Sequence, residues 1–258
     1  IEKNGNGTLN CIVIDGGILK SKRHVNLPGI RVNLPAITKK DREDILLGIK
    51  EQVDFIALSF VREANDISEL RSILGAKDGK IKIIAKIEDQ LGVKNIEEIV
   101  EASDAIMVAR GDLGVEINVA ELPNVQRMIV KKCAERGRRV IVATHLLESM
   151  IDNPIPTRAE VTDVANAVYE EVDAVMLSGE TTVGKNPIRC VEQLVEIAGA
   201  TESFPGLNFV SKLNSEKDKQ QIAITAVSLA ENIQAVGIVV ITRRGKMADF
   251  VTNCHPNK

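Results

Sequence analysis

The sequence predicts an α/β chain built on a parallel sheet, and three observations point there. Apolar, β-prone runs recur at long, fairly regular intervals: Asp54–Phe60, Lys82–Ile87, Ala105–Ala109, Arg139–Thr144 and Asp173–Leu177. Each run is continuously apolar rather than alternating, as in strands covered on both faces. A helical pattern follows each run. Strand and helix repeated in this way imply parallel strands with right-handed crossovers, in a (β/α)8 barrel or a doubly wound sheet.

The helical segments justify themselves in order. Glu63–Leu74 is amphipathic, and Lys94–Ala102 carries apolar residues at three-to-four spacing. Pro123–Arg136 follows the same rule, with Pro123 near its start, where a missing N–H costs nothing. Thr162–Glu171 and Pro187–Ala198 complete the set. The flanks differ. Residues 1–24 hold turn signals, Asn4-Gly5-Asn6-Gly7 and Asp15-Gly16-Gly17, between short β-prone runs, and read as the end of a small β domain. Residues 25–200 form the parallel unit. Residues 201–258 read as a polar linker through Asp218, a helix over Gln220–Ile233, and a strand over Gly237–Thr242 that opens a further α/β domain.

Bulk properties exclude several function classes. A net charge of −3 gives no support for binding nucleic acid or a membrane surface through bulk charge. No apolar run approaches the roughly 18 residues of a membrane span. Aromatic residues make up 2% of the chain, so the core must be aliphatic. Cys11, Cys133, Cys190 and Cys254 lie far apart with no CxxC pair. This favours reduced thiols in an intracellular compartment over a zinc site or disulfide framework. With Ile1 at the first position, the chain is expected to be a piece of a longer polypeptide.

Chemistry in a barrel gathers at the C-terminal ends of the strands. Here every apolar run ends in polar residues: Ser59; Lys86 and Glu88; Arg110-Gly111-Asp112; Thr144; and Ser178-Gly179-Glu180. Five such endings imply one shared polar mouth. In a strand, residues i and i+2 share a face, so Lys86 and Glu88 point together while Ile87 faces the helices. The pair could be a structural salt bridge. With Asp112 as a second acid, Glu88 could instead hold Mg²⁺ or Mn²⁺ and leave positions for water and substrate oxygens. Lys86 would then face a phosphoryl group as a compact positive charge. Gly111 and Gly114 permit close backbone approach, and a helix starting there would favour a carboxylate or phosphate; a plain turn is the alternative.

These residues resemble the pyruvate kinase family. Ile83–Glu88 resembles its signature strand, Ala102–Asp104 with Met107–Gly114 its next block, and Ala143–Ile151 with Pro156–Glu160 a third. Asp163–Val168 and Met176–Thr181 complete the run, and Val25–Gly29 resembles the return from the small domain into the barrel. The resemblance implies a partial TIM (β/α)8 barrel, strands four to eight, between remnants of a small β domain and of a C-terminal α/β domain. It implies phosphoryl transfer between phosphoenolpyruvate and ADP, giving pyruvate and ATP in glycolysis. Lys86 and Thr144 would be catalytic. Lys86, Gly111, Asp112 and Thr144 would bind substrate, and Glu88 and Asp112 would bind the divalent metal. K⁺ is implied too, its ligands outside this segment, as is a homo-oligomer, a tetramer, with Pro156–Glu160 near subunit contacts. His145 and Leu146 replace the family's usual Gln and Met, and Thr242–Lys246 lacks its usual effector-loop pattern.

Alternatives remain open at this point. Gly179–Lys185 fits a GxxxxGK phosphate loop, although Asn186 replaces the metal-binding Ser or Thr. A metal-dependent pyruvate aldolase or lyase, or an inactive kinase-like fragment, would also carry these acids. Five strands of eight would expose two sheet edges.

Overall fold

A computed structural model describes residues 2–14, 16–18, 21, 35–213, 218–243 and 245–256. The Val25–Gly29 motif lies outside the described residues. At the start, β1 (Glu2–Lys3) pairs antiparallel with β2 (Leu9–Asn10). The Asn-Gly turn between them closes through the Asn4 amide on the Thr8 carbonyl, with Gly7 at φ +82°.

The parallel unit then runs α1 (Lys39–Lys50), β3 (Phe55–Leu58), α2 (Ala64–Leu74), β4 (Lys82–Ile87), α3 (Gln90–Lys94), α4 (Ile96–Ala102) and β5 (Ala105–Ala109). It continues through α5 (Arg110–Glu116), α6 (Leu122–Arg136), β6 (Arg139–Ala143), α7 (Arg158–Tyr169), β7 (Ala174–Met176), α8 (Gly179–Thr182) and α9 (Pro187–Glu202). The apolar runs all become strands. Helix α1 was not foreseen in the sequence; a capping box between Thr38 and Asp41 opens it. Helix α7 starts at Arg158 rather than Thr162, because Thr157 and Glu160 form a second capping box upstream of the apolar pattern.

The sheet order is β3-β4-β5-β6-β7, every neighbouring pair parallel. A doubly wound sheet reverses its strand order at a switch point. Here space follows sequence throughout, which is the order of a (β/α)8 barrel. The central strand β5 is buried at every position, and Ile83, Ile87, Ile106, Val108 and Val142 pack against Ile67, Leu70, Ile99 and Ile129 of the helices. Each such aliphatic side chain contributes about 1.5–3 kcal/mol by leaving water. Among the described residues β3 and β7 pair on one side only, and Phe55 at the β3 edge is 58% exposed.

The last segment departs from expectation. Residues 201–213 hold the end of α9 and a 3-10 turn, Phe209–Lys212, whose Phe209 packs on the main core. Helices α10 (Asp218–Asn232) and α11 (Lys246–Thr252) follow. The expected strand over Gly237–Thr242 does not form. No strand lies beside it among the described residues, so its backbone has no ladder to join. Ile238 and Val240 pack toward α10 and α11, while Val239 and Ile241 face outward. The four cysteines are free; Cys11 is exposed and the others are buried. No helix among the described residues is long and apolar enough to cross a membrane.

Two expectations follow from this architecture. Open parallel edges template pairing with other chains, so the 258-residue chain alone should self-associate with rising concentration. Sedimentation velocity checks this; a monodisperse monomer across the range would show that the edges are protected. Second, burial pushes the Glu160 carboxyl up, but hydrogen bonds from Ser149 and Thr157 outweigh it and hold the group below its ordinary 4.5. A depressed folded value gives stability that is present above 4.5 and lost as pH falls through the folded value. The gap in urea midpoint between wild type and Glu160→Gln should therefore close on acidification below that point, and a gap constant with pH would contradict it.

Candidate active site

The end of β4 supplies the first cluster. Strand alternation turns Ile87 into the helix layer, where a Cβ on Gly92 of α3 would sit 3.5 Å from its Cγ2. Lys86 and Glu88 face the other way, with Lys86 Nζ 2.7 Å from Glu88 Oε1. Lys86 Nζ also donates to Ser59 Oγ at 2.8 Å, and the Phe60 amide donates to Glu88 Oε2 at 2.6 Å. Both partners come from the end of β3, where Phe60 adopts φ +52°. Glu88 is 1% exposed, a position where an unpaired carboxylate would be very costly. Cation and amide together make that charge tenable through charge-assisted hydrogen bonds.

The second cluster joins the ends of β5 and β6. Thr144 Oγ1 accepts from the Gly111 amide at 2.7 Å and donates to the Ala143 carbonyl at 2.6 Å. Thr144 and His145 have φ of +70° and +54°, a left-handed pair that costs on the order of 1–3 kcal/mol per residue. Buried Arg110 holds the pair. Its Nε and Nη2 donate to the Thr144 carbonyl at 3.1 and 2.7 Å, Nη2 also to the His145 carbonyl at 3.1 Å, and Nη1 to Asp163 at 2.8 Å. Gly111 is closely approached: a Cβ there would lie 3.3 Å from Thr144 Oγ1 and 3.6 Å from His145 Cε1.

Both clusters sit at the same end of adjacent strands. Lys86 is in register with Met107, and Ala109 with Ala143. Two strand spacings, about 10 Å, separate β4 from β6. Asp112 lies between, exposed on the first turn of α5, and its side chain makes no hydrogen bond or ion pair among the described residues. At the end of α5, burial and then the charge of Asp89 raise the Glu116 carboxyl, while Arg62 opposes them. Thus Lys86 and Glu88 meet, Gly111 and Thr144 meet, and Asp112 stands free in between.

Some placements differ from the sequence reading. Glu180, expected at the polar mouth, is buried and accepts from the Leu147 and Ser178 amides at 3.0 and 2.8 Å. A fully buried carboxylate finds its partners in the backbone of the loops after β6 and β7. The phosphate-loop reading of Gly179–Lys185 fails on geometry. The Thr182, Val183 and Gly184 amides donate to Ser178 and Gly179 carbonyls, and the Lys185 amide to Ile151, so the second half of the loop turns its amides inward rather than toward an anion. Lys185 itself pairs with Asp152 at 2.9 Å on the exposed surface. Sequence reasoning gave no role to Arg110, the Phe60 amide or the Ser59 hydroxyl. Ser59 and Arg110 at least carried a signal, as polar residues ending their strands.

The donor chemistry fits a hard dication. Glu88 and Asp112 offer only carboxylate oxygens, which suit Mg²⁺ or Mn²⁺ over softer metals. Each Glu88 oxygen accepts one hydrogen bond and keeps a lone pair. Among the described residues no three or more His, Cys, Asp or Glu side chains group as a metal cage. Two carboxylates leave the other positions to water and substrate, the habit of Mg²⁺.

Comparison with known proteins agrees with this geometry. Residues 1–191 match the family described as pyruvate kinase, barrel domain. A pyruvate kinase of Geobacillus stearothermophilus is 48% identical over 257 residues, covering 97% of this chain and 43% of its own length. One of Staphylococcus epidermidis is 45% identical over 258 residues, with 97% and 44% covered, and one of Staphylococcus aureus is 45% identical over 256, with 96% and 43%. The chain therefore spans less than half the length of these curated relatives. With a parallel sheet in barrel order, polar clusters at one end of it, and identity of this extent along almost the entire sequence, the chain belongs to the pyruvate kinase family.

Proposed function

We propose that this chain is part of a phosphotransferase that moves the phosphoryl group of phosphoenolpyruvate to ADP, giving pyruvate and ATP. The observation that carries this reading is the Lys86–Glu88 pair at the end of β4, with the unpartnered Asp112 carboxylate one strand away. Phosphoryl transfer needs positioning and charge neutralisation rather than covalent chemistry by the protein. Of the three Lys86 donors, Ser59 and Glu88 take two, and the third is free for a phosphoryl oxygen. Glu88 and Asp112 hold the Mg²⁺ or Mn²⁺ in this reading. Such a dication, when bound, neutralises charge on the phosphoryl and enolate oxygens. The backbone at Gly111 and Asp112 receives the substrate carboxylate, and Thr144 orients the group or water that protonates the enol carbon.

The same reading takes residues 1–24 as the end of the lid domain, 25–200 as barrel and 201–258 as linker and C-terminal domain. It includes K⁺ bound by residues outside this segment, a homotetramer, and a cytoplasmic setting with the plastid stroma as the alternative.

Two measurements on the complete gene product test it. Lys86→Met should lower turnover by about 10²-fold or more in a coupled assay for pyruvate, the scale of losing one transition-state charge contact. Turnover unchanged by that substitution would remove Lys86 from the reaction. Glu88→Gln keeps the side-chain shape but loses the charge. Outer-shell partners alone are worth roughly 10–100-fold in metal affinity, so Mn²⁺ binding, followed by titration calorimetry, should weaken at least about tenfold. Undiminished binding would place the metal elsewhere.

A further inference from the structure

Arg110 is the centre of a larger buried assembly. A guanidinium has five N–H groups. Here three go to the Thr144 and His145 carbonyls, and Nη1 serves Asp163 at 2.8 Å and Gln126 Oε1 at 3.5 Å. Gln126 on α6 is 2% exposed, and its amide is committed at both ends. Its Oε1 faces Arg110, while Nε2 donates to Glu170 Oε2 at 2.9 Å. Glu170, at the end of α7, is fully buried, and its other oxygen accepts from Arg127 at 3.2 Å and Asn166 at 3.1 Å.

The polarity of this chain is fixed. A glutamine amide flipped end for end would set N–H against guanidinium and oxygen against carboxylate. Gln126 is therefore an oriented spacer between a buried cation and a buried anion. Asp163 is closer to Arg110, but its side chain is a third exposed and its pull is screened by water. Gln126 and Glu170 act from the dry side, where polar interactions are stronger.

We propose that Gln126 and Glu170 are positioning residues for the site. From the helix layer they fix the orientation of Arg110, and through it the left-handed backbone of Thr144 and His145. The kinetic part of this proposal rests on the reading of the site given above; the conformational part does not.

The test uses Gln126→Met and Glu170→Gln in the complete gene product. Met removes both amide groups at similar volume, and Glu170→Gln is the milder change should the first fail to fold. Hydrogen exchange at the backbone amides of residues 143–147 should accelerate in either variant by about five- to tenfold, with the rest of the sheet unchanged. The KM for phosphoenolpyruvate should rise by a similar factor and kcat should fall, while the KM for ADP stays within about twofold. A purely structural role would lower the thermal midpoint without this split. Unchanged exchange over 143–147 overturns the proposal, as does an equal rise in both KM values. A wild type that forms no pyruvate would remove the kinase reading, and the exchange measurement alone would then decide.

Discussion

A carboxyl group almost closed to water is the constraint on which this structure depends. Glu88 is 1% exposed and has a cation on one oxygen and a hydrogen-bond donor on the other, and burying a carboxylate without such partners costs several kcal/mol. The cation comes from two residues back on the same strand, and the donor from the backbone just past the neighbouring strand. Register is thereby tied to charge. With Leu58 opposite Ala85, the chain leaves β3 at the height where Phe60 can reach Glu88 and Ser59 can reach Lys86. A slip of one residue would turn both charged side chains into the helix layer.

The two ends of the sheet solve the same problem differently. At the N-terminal end, acids placed just before a strand capture the neighbouring strand: Asp104 accepts from the Ile83 amide at 2.9 Å and Asp173 from the Val140 amide at 2.8 Å. Arg71 and Arg139 balance those charges. These are staples, repeated because the strand repeats. At the C-terminal end the buried charges are all different, and each reaches a loop from another strand: Glu88 to the exit of β3, Arg110 and Glu180 to the exit of β6. Regular reinforcement below and individual side chains above is the division expected of a barrel whose chemistry lies at one face.

Much of this was legible in the sequence, for identifiable reasons. Continuous apolar runs located the strands because a parallel strand is covered on both faces, and Lys86-Ile87-Glu88 announced its geometry through the two-residue period. What escaped was whatever depends on a distant partner. Arg110 looks like any arginine until the loop after β6 brings two carbonyls to it. Glu180 looks like a mouth residue until the Leu147 amide arrives. Gly237–Thr242 has the composition of a strand, but a strand exists only as half of a pairing, and composition does not say whether the other half is present. Helix α1 was missed although its capping box was written in Thr38 and Asp41, since its apolar face is short.

The contact between Thr144 and Gly111 changes what binding means at that point. The hydroxyl and the amide already satisfy one another at 2.7 Å, so a carboxylate bound there, as proposed above, would displace an incumbent rather than fill a vacant donor. One hydrogen bond is traded for another, and such swaps are nearly neutral unless the newcomer is charged. A neutral carbonyl compound of the same shape would gain almost nothing from the trade. Discrimination in favour of anions would then be inherent in the resting state, enforced by a threonine that guards the amide.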